Sequence, residues 1–292
     1  MLKITIPNNN IAERKYILDI IFDEFLGLEY KVEARREKGE GDWEIELENG
    51  SKIIFEDHFF NKYLNNLEYL KLENIPSKVE FAQNQFIVEN NIPVIYGNSK
   101  LETKNDELKT IFCGIDIFAS CFFMLTRWEE YVNKNRDSHD RFPATESLAY
   151  KNGFLDRPIV NEYIEMLKNM LLELGLIQKL KTRNYQLFVS CDVDQPYDCT
   201  VENIQNLIRV GAGDILKRKS IKEFAKRVRR YIFNKFGNYR YDENYTFPWY
   251  MDICEKAGTK AAFYFIPTSK EVQNGCYELK DKKIQNLLKY ID

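Results

Sequence analysis

The chain has 292 residues, of which 44% are hydrophobic and 14% aromatic, enough for ordinary packed cores and a length that suggests two domains. Its formal net charge of −3 gives no general attraction to nucleic acid or to a membrane. No apolar segment is long and charge-free enough to span a bilayer, and residues 1–25 lack the apolar core of a secretory signal. We therefore predict a globular protein without stable membrane insertion, located by default in the cytoplasm.

The first strand signals lie in residues 31–57, where short alternating segments flank a turn dipeptide. The segments WEIELE and KIIFED stand on either side of Asn49-Gly50, and Asn-Gly is the pair that tight hairpin turns favour. We predict a β-hairpin there. Residues 79–97 continue in strand-like pieces.

Two helices follow. Residues 115–132 change to a helical period, with Asp116 as the predicted N-cap. A second helix is predicted over 157–176, with Pro158 near its first turn and Gly175 near its end. The large apolar side chains that share one face of the first helix are Phe118, Phe122, Leu125 and Trp128.

A polar segment, residues 179–185, separates these helices from an apolar strand that begins near Phe188. We place the domain boundary there, with domains at 1–180 and 186–292. In the second domain a helix is predicted at 246–258 and an uninterrupted apolar strand at 260–267. Strand, helical crossover and second apolar strand are typical of parallel βα units.

The first strand of the second domain ends in Asp192 and Asp194, which the alternation of a strand would point to the same side. Two like charges so close together are costly unless a cation lies between them. One hypothesis is that one carboxylate binds a divalent metal while the other accepts a proton from metal-bound water. The alternative is a turn in which both side chains accept hydrogen bonds from nearby backbone N–H groups.

One resemblance rests on four segments of the chain, residues 114–132, 139–163, 188–196 and 247–267. Together they resemble the bacterial polysaccharide deacetylase family, in which an accessory domain precedes a NodB-homology domain, as in carbohydrate esterase family 4. The resemblance extends over residues 60–270. It implies an α/β fold: an N-terminal α+β accessory domain, followed by the first βα units of a deformed (β/α) barrel.

The resemblance implies an enzyme that uses a divalent metal, commonly zinc, to remove N-acetyl groups from a glycan or polysaccharide. By position, Asp192 corresponds to the general base of the family and Asp194 to the carboxylate that ligates the metal. A Lewis-acidic ion polarises the amide carbonyl and lowers the pKa of its water, and a neighbouring carboxylate takes the proton.

The chain departs from the family in its histidines. The two histidines that complete the family's metal site come later than this chain reaches, and His58 and His139 both precede Asp192. Residues 188–292 are also far fewer than the ~250 of a full eight-stranded barrel. We therefore expect a chain truncated within a metal-dependent deacetylase domain, or alternatively a catalytically inactive module that binds glycans or other partners.

The cysteines and a run of basic residues are two further features of the chain. The six cysteines are scattered without a CxxC pair, and we predict reduced thiols. Residues 217–235 hold nine basic side chains and one acidic one, Glu223. A solvated helix face is the first interpretation of this run, and a patch for an anionic partner such as a phosphorylated glycan carrier is the second. Nucleic acid is not favoured, because aromatic side chains are not interleaved with the basic ones as in a stacking groove.

Overall fold

A computed structural model describes residues 1–36, 41–177, 180, 187–266 and 277–292. The chain divides into two compact units, unit 1 (Met1–Arg183) and unit 2 (Asn184–Asp292). The polar segment at which we predicted the domain boundary lies outside the described residues, apart from Leu180.

Unit 1 is built on a six-stranded mixed sheet in the order β2-β1-β3-β4-β8-β7. The β1–β2 and β4–β8 pairs are parallel, and the other neighbours are antiparallel. A separate antiparallel pair is formed by β5 and β6. The strands of unit 1 are β1 (Leu2–Ile6), β2 (Tyr30–Ala34), β3 (Trp43–Glu46), β4 (Lys52–Phe55), β5 (Glu80–Ala82), β6 (Ile92–Val94), β7 (Gly97–Asn105) and β8 (Lys109–Ile115).

The predicted hairpin is confirmed. Strands β3 and β4 pair antiparallel around the Asn49-Gly50 turn. Gly50 has a backbone φ of +81°, a conformation that residues other than glycine and asparagine rarely adopt. The Asn49 side-chain oxygen accepts a hydrogen bond from the backbone N–H of Ser51 at 2.9 Å, so both turn residues contribute to the reversal of the chain.

Unit 1 contains both predicted helices. The one predicted over 157–176 is a single helix, Ile159–Glu173, and the other is interrupted. The helix predicted over 115–132 is split at Arg127, whose φ of +52° ends the regular hydrogen bonding. Asp116 is its N-cap, as predicted, and accepts from the Ala119 N–H at 3.0 Å. The helices of unit 1 are α1 (Ile11–Leu18, continued by a π-helix over Asp19–Leu26), α2 (Ile117–Thr126), α3 (Trp128–Val132), α4 (Leu148–Lys151) and α5 (Ile159–Glu173).

One hydrophobic core holds unit 1 together. Alternate residues of β1 and β3 are buried, as expected of a sheet that faces a core on one side. Trp43 on β3 stacks on Phe118 of α2 with ring centroids 4.4 Å apart, and Phe55 of β4 meets Phe118 edge-on at 5.3 Å. Phe118, which belongs to the predicted apolar face, therefore packs α2 against the sheet.

Unit 2 contains two parallel strands among its described residues, β9 (Val189–Val193) and β10 (Ala261–Phe265). Their parallel pairing confirms the predicted βα pattern, and the chain as a whole has a mixed α/β fold. The helices of unit 2 are α6 (Ile204–Leu216), α7 (Ile221–Lys235), α8 (Phe247–Lys256) and α9 (Lys282–Ile291).

The core of unit 2 is small and aromatic. It joins the end of β9 to α8 and α9 through six buried side chains. Phe247 at the start of α8 stacks on Phe265 of β10 at 6.1 Å and contacts Phe263 at 5.2 Å. The six are Val193, Tyr197, Phe247, Tyr277, Ile284 and Leu287.

The cysteines are only partly as predicted. Cys113, Cys121, Cys191 and Cys254 are free thiols, which confirms the prediction for these four. The prediction is wrong for Cys199, which is disulfide-bonded. Within the described ranges, no helix is both long enough and apolar enough to cross a membrane.

Candidate functional site

The paired aspartates lie where the sequence predicts, at the carboxyl end of a parallel strand. Asp192 is in β9 opposite Tyr264 of β10, and Asp194 follows directly after the strand. Both residues are exposed. Neither carboxylate forms a hydrogen bond or an ion pair with another described residue, so neither has the turn-forming contacts of the alternative hypothesis in this part of the chain.

The described residues do not fit the metal that the resemblance implies. Among them, no three His, Cys, Asp or Glu side chains come together as a possible metal site. Both histidines belong to unit 1, where His58 Nε2 contacts Glu56 Oε2 at 2.6 Å and His139 lies in an exposed loop. A catalytic zinc site needs three protein ligands, and Asp192 and Asp194 supply at most two.

Tyr277 joins the ends of the two parallel strands. Its hydroxyl donates to the Val193 carbonyl at 2.8 Å and accepts from the Ile266 N–H at 2.9 Å. Burial, with a contribution from the charge of Asp194, raises the pKa of Tyr277 above its usual value. The hydroxyl therefore stays protonated and holds β9 and β10 together next to Asp194.

A cleft opens directly after Asp194. The chain turns at Pro196 into the 3₁₀ segment Cys199–Val201 and then into α6, which leaves a space of about 400 Å³. This volume is within the range of small-molecule sites. Parts of α7 and α9 also line it, through Asn234 and Lys283.

Tyrosine rings form the apolar part of the cleft. Tyr197 and Tyr239 both line it, with ring centroids 4.3 Å apart, and Tyr245 stacks behind Tyr197 at 5.7 Å. Lys283 Nζ lies 5.6 Å from the Tyr197 ring centroid and donates to Glu202 Oε1 at 3.1 Å. The cleft therefore combines aromatic surface with a charged pair at its edge.

Asn234, which lines the cleft, has an unsatisfied side-chain hydrogen-bond acceptor. Its Nδ2 donates to the Asp242 carboxylate, which can only accept, so the orientation of the amide is fixed. Its Oδ1 is buried and has no hydrogen-bond partner within the described part of the chain. Leaving such an atom unpaired costs roughly 1–3 kcal/mol, and a ligand that donates to it would recover part of that cost.

A network of hydrogen bonds and ion pairs around Asp198 and Asp242 holds the chain that lines the cleft. Asp242 accepts from the Asp198 N–H with both oxygens at 3.1 Å and from the Asn244 N–H at 3.0 Å. Asp198 accepts from the Thr200 N–H at 2.9 Å and forms an ion pair with Arg230. Burial alone would raise the pKa of Asp198, but these donors hold it below its usual value.

The interpretation of the basic run as a solvated helix face is wrong for two of its arginines. Arg227 and Arg230 do not face solvent, because they turn inward to Asp214 and Asp198, with Arg227 Nε 2.7 Å from Asp214 Oδ2. Hydrogen bonds from Arg227 hold the pKa of Asp214 below its usual value. The prediction of solvated basic side chains is confirmed for Lys222, which is exposed.

A family of unknown function, DUF7033, matches residues 2–176, which is more than half of the chain. The chain belongs to the DUF7033 family. The DUF7033 match lies within unit 1. No curated protein and no solved structure matches the chain.

The residues that line the cleft were not predicted from the sequence. Tyr197 and Lys283 are 86 positions apart, and no local pattern connects them. One signal was available in YRYDENY, residues 239–245, where three tyrosines alternate with polar residues. This segment contains Tyr239, which lines the cleft, and Asp242 and Tyr245, which contact residues that line it.

Proposed function

We propose that unit 2 binds a glycan in the tyrosine-lined cleft, and that the chain of 292 residues acts as a glycan-binding module. The observation that carries this proposal is the combination, in one cleft, of the Tyr197 and Tyr239 rings with the unpaired Asn234 Oδ1. It corresponds to the second of the two functions expected from the sequence.

Sugars have the chemistry that this combination suits. The C–H face of a pyranose ring is apolar and packs on an aromatic ring, which removes apolar surface from water. Its hydroxyl groups both donate and accept, so one hydroxyl can donate to Asn234 Oδ1 while another accepts from Lys283. The Glu202 carboxylate, paired with Lys283 at 3.1 Å, offers a further acceptor.

The polar network next to the cleft favours ligand binding without a large rearrangement of the protein. Asp198 and Asp242 are held by backbone N–H groups and by Arg230. A site whose polar groups are already fixed loses little conformational entropy when a ligand binds.

Titration calorimetry with oligosaccharides of N-acetylglucosamine and of glucose tests this proposal. Lys283→Met keeps the aliphatic stem but removes the charge and the donors, and Tyr239→Ala removes one ring. We expect each variant to weaken binding by about tenfold, the effect of losing one hydrogen bond to a charged group or one aromatic contact. Tyr131→Ala, an exposed tyrosine in unit 1, is the matched control and should bind as the parent chain does.

Thermal unfolding of each variant separates loss of the cleft from loss of the fold. Absence of binding to every oligosaccharide by the parent chain would contradict the proposal. So would unchanged affinity in folded Lys283→Met and Tyr239→Ala.

A second candidate, metal-dependent N-deacetylation, is favoured by one observation. Asp192 and Asp194 are exposed together at the carboxyl end of a parallel strand, which is where βα folds place their chemistry. In this proposal Asp192 is the general base and Asp194 is a ligand of a divalent metal such as zinc. The missing third ligand among the described residues is the reason we rank it second, and acetate release from N-acetylglucosamine oligomers tests it.

A further inference from the structure

Helix α7 is inverted with respect to an ordinary surface helix. Its inward side carries charged and polar groups, with Arg227 and Arg230 buried against Asp214 and Asp198. A surface helix normally turns its apolar side to the core and its charges to solvent. Several apolar side chains of α7 are therefore left on the outside.

These outward side chains form a stripe along the helix. Ile221, Ile232 and Phe236 are 77%, 46% and 81% exposed, and their spacing places them on one helical face with Ala225. Exposed single apolar residues are common, but a contiguous set indicates an interaction site.

The neighbouring helix repeats the pattern. Ile204, Ile208 and Ile215 of α6 are 57%, 64% and 43% exposed and share one face, and Leu216 at its end is 76% exposed. The two helices contact each other closely at Gly211, where a Cβ would lie 2.8 Å from the Phe224 ring. Residues 204–236 thus form one helical hairpin with apolar stripes on its exposed sides.

Basic side chains border the stripes. The turn between the helices contains Lys217, Arg218 and Lys219, and Lys222 and Arg229 follow on the outer part of α7; all five are exposed. Residues 217–235 carry a net charge of +8, so the other residues of the chain sum to −11. The hairpin is therefore a cationic region on an otherwise acidic chain.

We propose that the outer face of the α6–α7 hairpin binds the surface of an anionic lipid bilayer. Helices that lie in a membrane interface combine exposed Ile, Leu and Phe with Lys and Arg beside them, as this hairpin does. Charge complementarity selects the bilayer as the occupant, because its anionic headgroups would meet the basic turn while the acidic remainder of the chain is repelled. The interaction is peripheral and places no segment across the membrane.

Flotation of the 292-residue chain with lipid vesicles tests the proposal. We expect binding to vesicles of phosphatidylcholine mixed with phosphatidylglycerol, weak binding to pure phosphatidylcholine, and loss of binding at high salt. Ile221→Asn/Phe236→Asn should reduce the partition coefficient at least tenfold. Lys217→Gln/Lys222→Gln should reduce it about fivefold for each cationic side chain removed.

Matched variants in unit 1 control for exposure and charge. Leu72→Asn/Val88→Asn replaces side chains that are 59% and 69% exposed, and Lys71→Gln/Lys78→Gln removes two exposed cations. Both double variants should float as the parent chain does. Because the residues changed in the hairpin are exposed, circular dichroism should show all variants folded.

Three results would overturn the proposal. One is no binding to the mixed vesicles. Another is equal loss in the unit 1 control variants. The third is that the hairpin variants leave vesicle binding unchanged but abolish self-association in sedimentation or binding to a labelled oligonucleotide, which would assign the hairpin to a second copy or to nucleic acid.

Discussion

Replacement of Arg14 by methionine should destabilise unit 1 severely. Arg14 and Asp57 are both fully buried, and Arg14 Nη2 lies 2.5 Å from Asp57 Oδ2. The same guanidinium donates to Asn9 and lies over the Trp43 ring at 4.6 Å. Removing it leaves the Asp57 charge buried, with the Asp116 carboxyl close enough to interact with it.

The size of the effect follows from this burial. Removing one partner of a buried ion pair costs about 3–5 kcal/mol, whereas removing both is often close to neutral. We expect Arg14→Met to lower the free energy of unfolding of unit 1 by about 4 kcal/mol, and Arg14→Met/Asp57→Leu to recover about half or more of that loss. Such a coupling shows that the cost of the single change comes from an unpaired charge.

Urea unfolding followed by circular dichroism and by tryptophan fluorescence measures these differences. Trp43 and Trp128 report on unit 1 because both are buried in its core. Lys3→Met is the matched control, since the Lys3–Glu33 pair is exposed on both sides and should contribute less than about 1 kcal/mol. A loss below about 1 kcal/mol for Arg14→Met, or a double variant as unstable as the sum of the singles, would refute the reasoning.

Further predictions concern other parts of the chain. Burial and the charge of Asp57 raise the pKa of Asp116 to about 7, so the native state binds more protons than the unfolded chain between about pH 4 and pH 7. The free energy of unfolding of unit 1 should therefore fall as the pH rises from about 4 to about 7, and Asp116→Asn should flatten this dependence in urea titrations; a rise with pH would contradict it. Gly97→Ala should cost at least about 2 kcal/mol in the same assay, because Gly97 has a φ of +100° and a Cβ would lie 2.1 Å from the Gly114 carbonyl oxygen; near-native stability would be the contrary result. The 292-residue chain should retain no stoichiometric zinc after dialysis and release no acetate from N-acetylglucosamine oligomers, since Asp192 and Asp194 lack a third ligand among the described residues. If it does release acetate, Asp194→Ala should remove metal and activity together, and Asp192→Asn should keep metal while the rate falls roughly 10²–10⁴-fold.

Local signals in the sequence were reliable where one short-range cause fixes the structure. The Asn49-Gly50 turn, the Asp116 N-cap and the helix α8 follow from residue types within a few positions of one another. The parallel pairing of β9 and β10 was predictable too, because uninterrupted apolar strands separated by helices form parallel pairs. The break at Arg127 was not, since arginine is not a helix-breaking residue and nothing in its immediate sequence indicates a φ of +52°.

The cleft and the inverted helix could not be predicted from local patterns. Arg227 and Arg230 resemble exposed residues of a basic run, and only the distant carboxylates of Asp214 and Asp198 draw them inward. Tyr197 and Lys283 meet through the tertiary fold. The Asp192 and Asp194 pair was found by its spacing, but the alternation of a strand does not determine whether further ligands come near it.

A crystal structure of the chain with a bound oligosaccharide of N-acetylglucosamine tests glycan binding most directly. The account predicts a sugar ring packed against Tyr197 and Tyr239, with one hydroxyl donating to Asn234 Oδ1 at about 3 Å. An oligosaccharide bound only beside Asp192 and Asp194, or bound at saturating concentration with the tyrosine cleft empty, would contradict it.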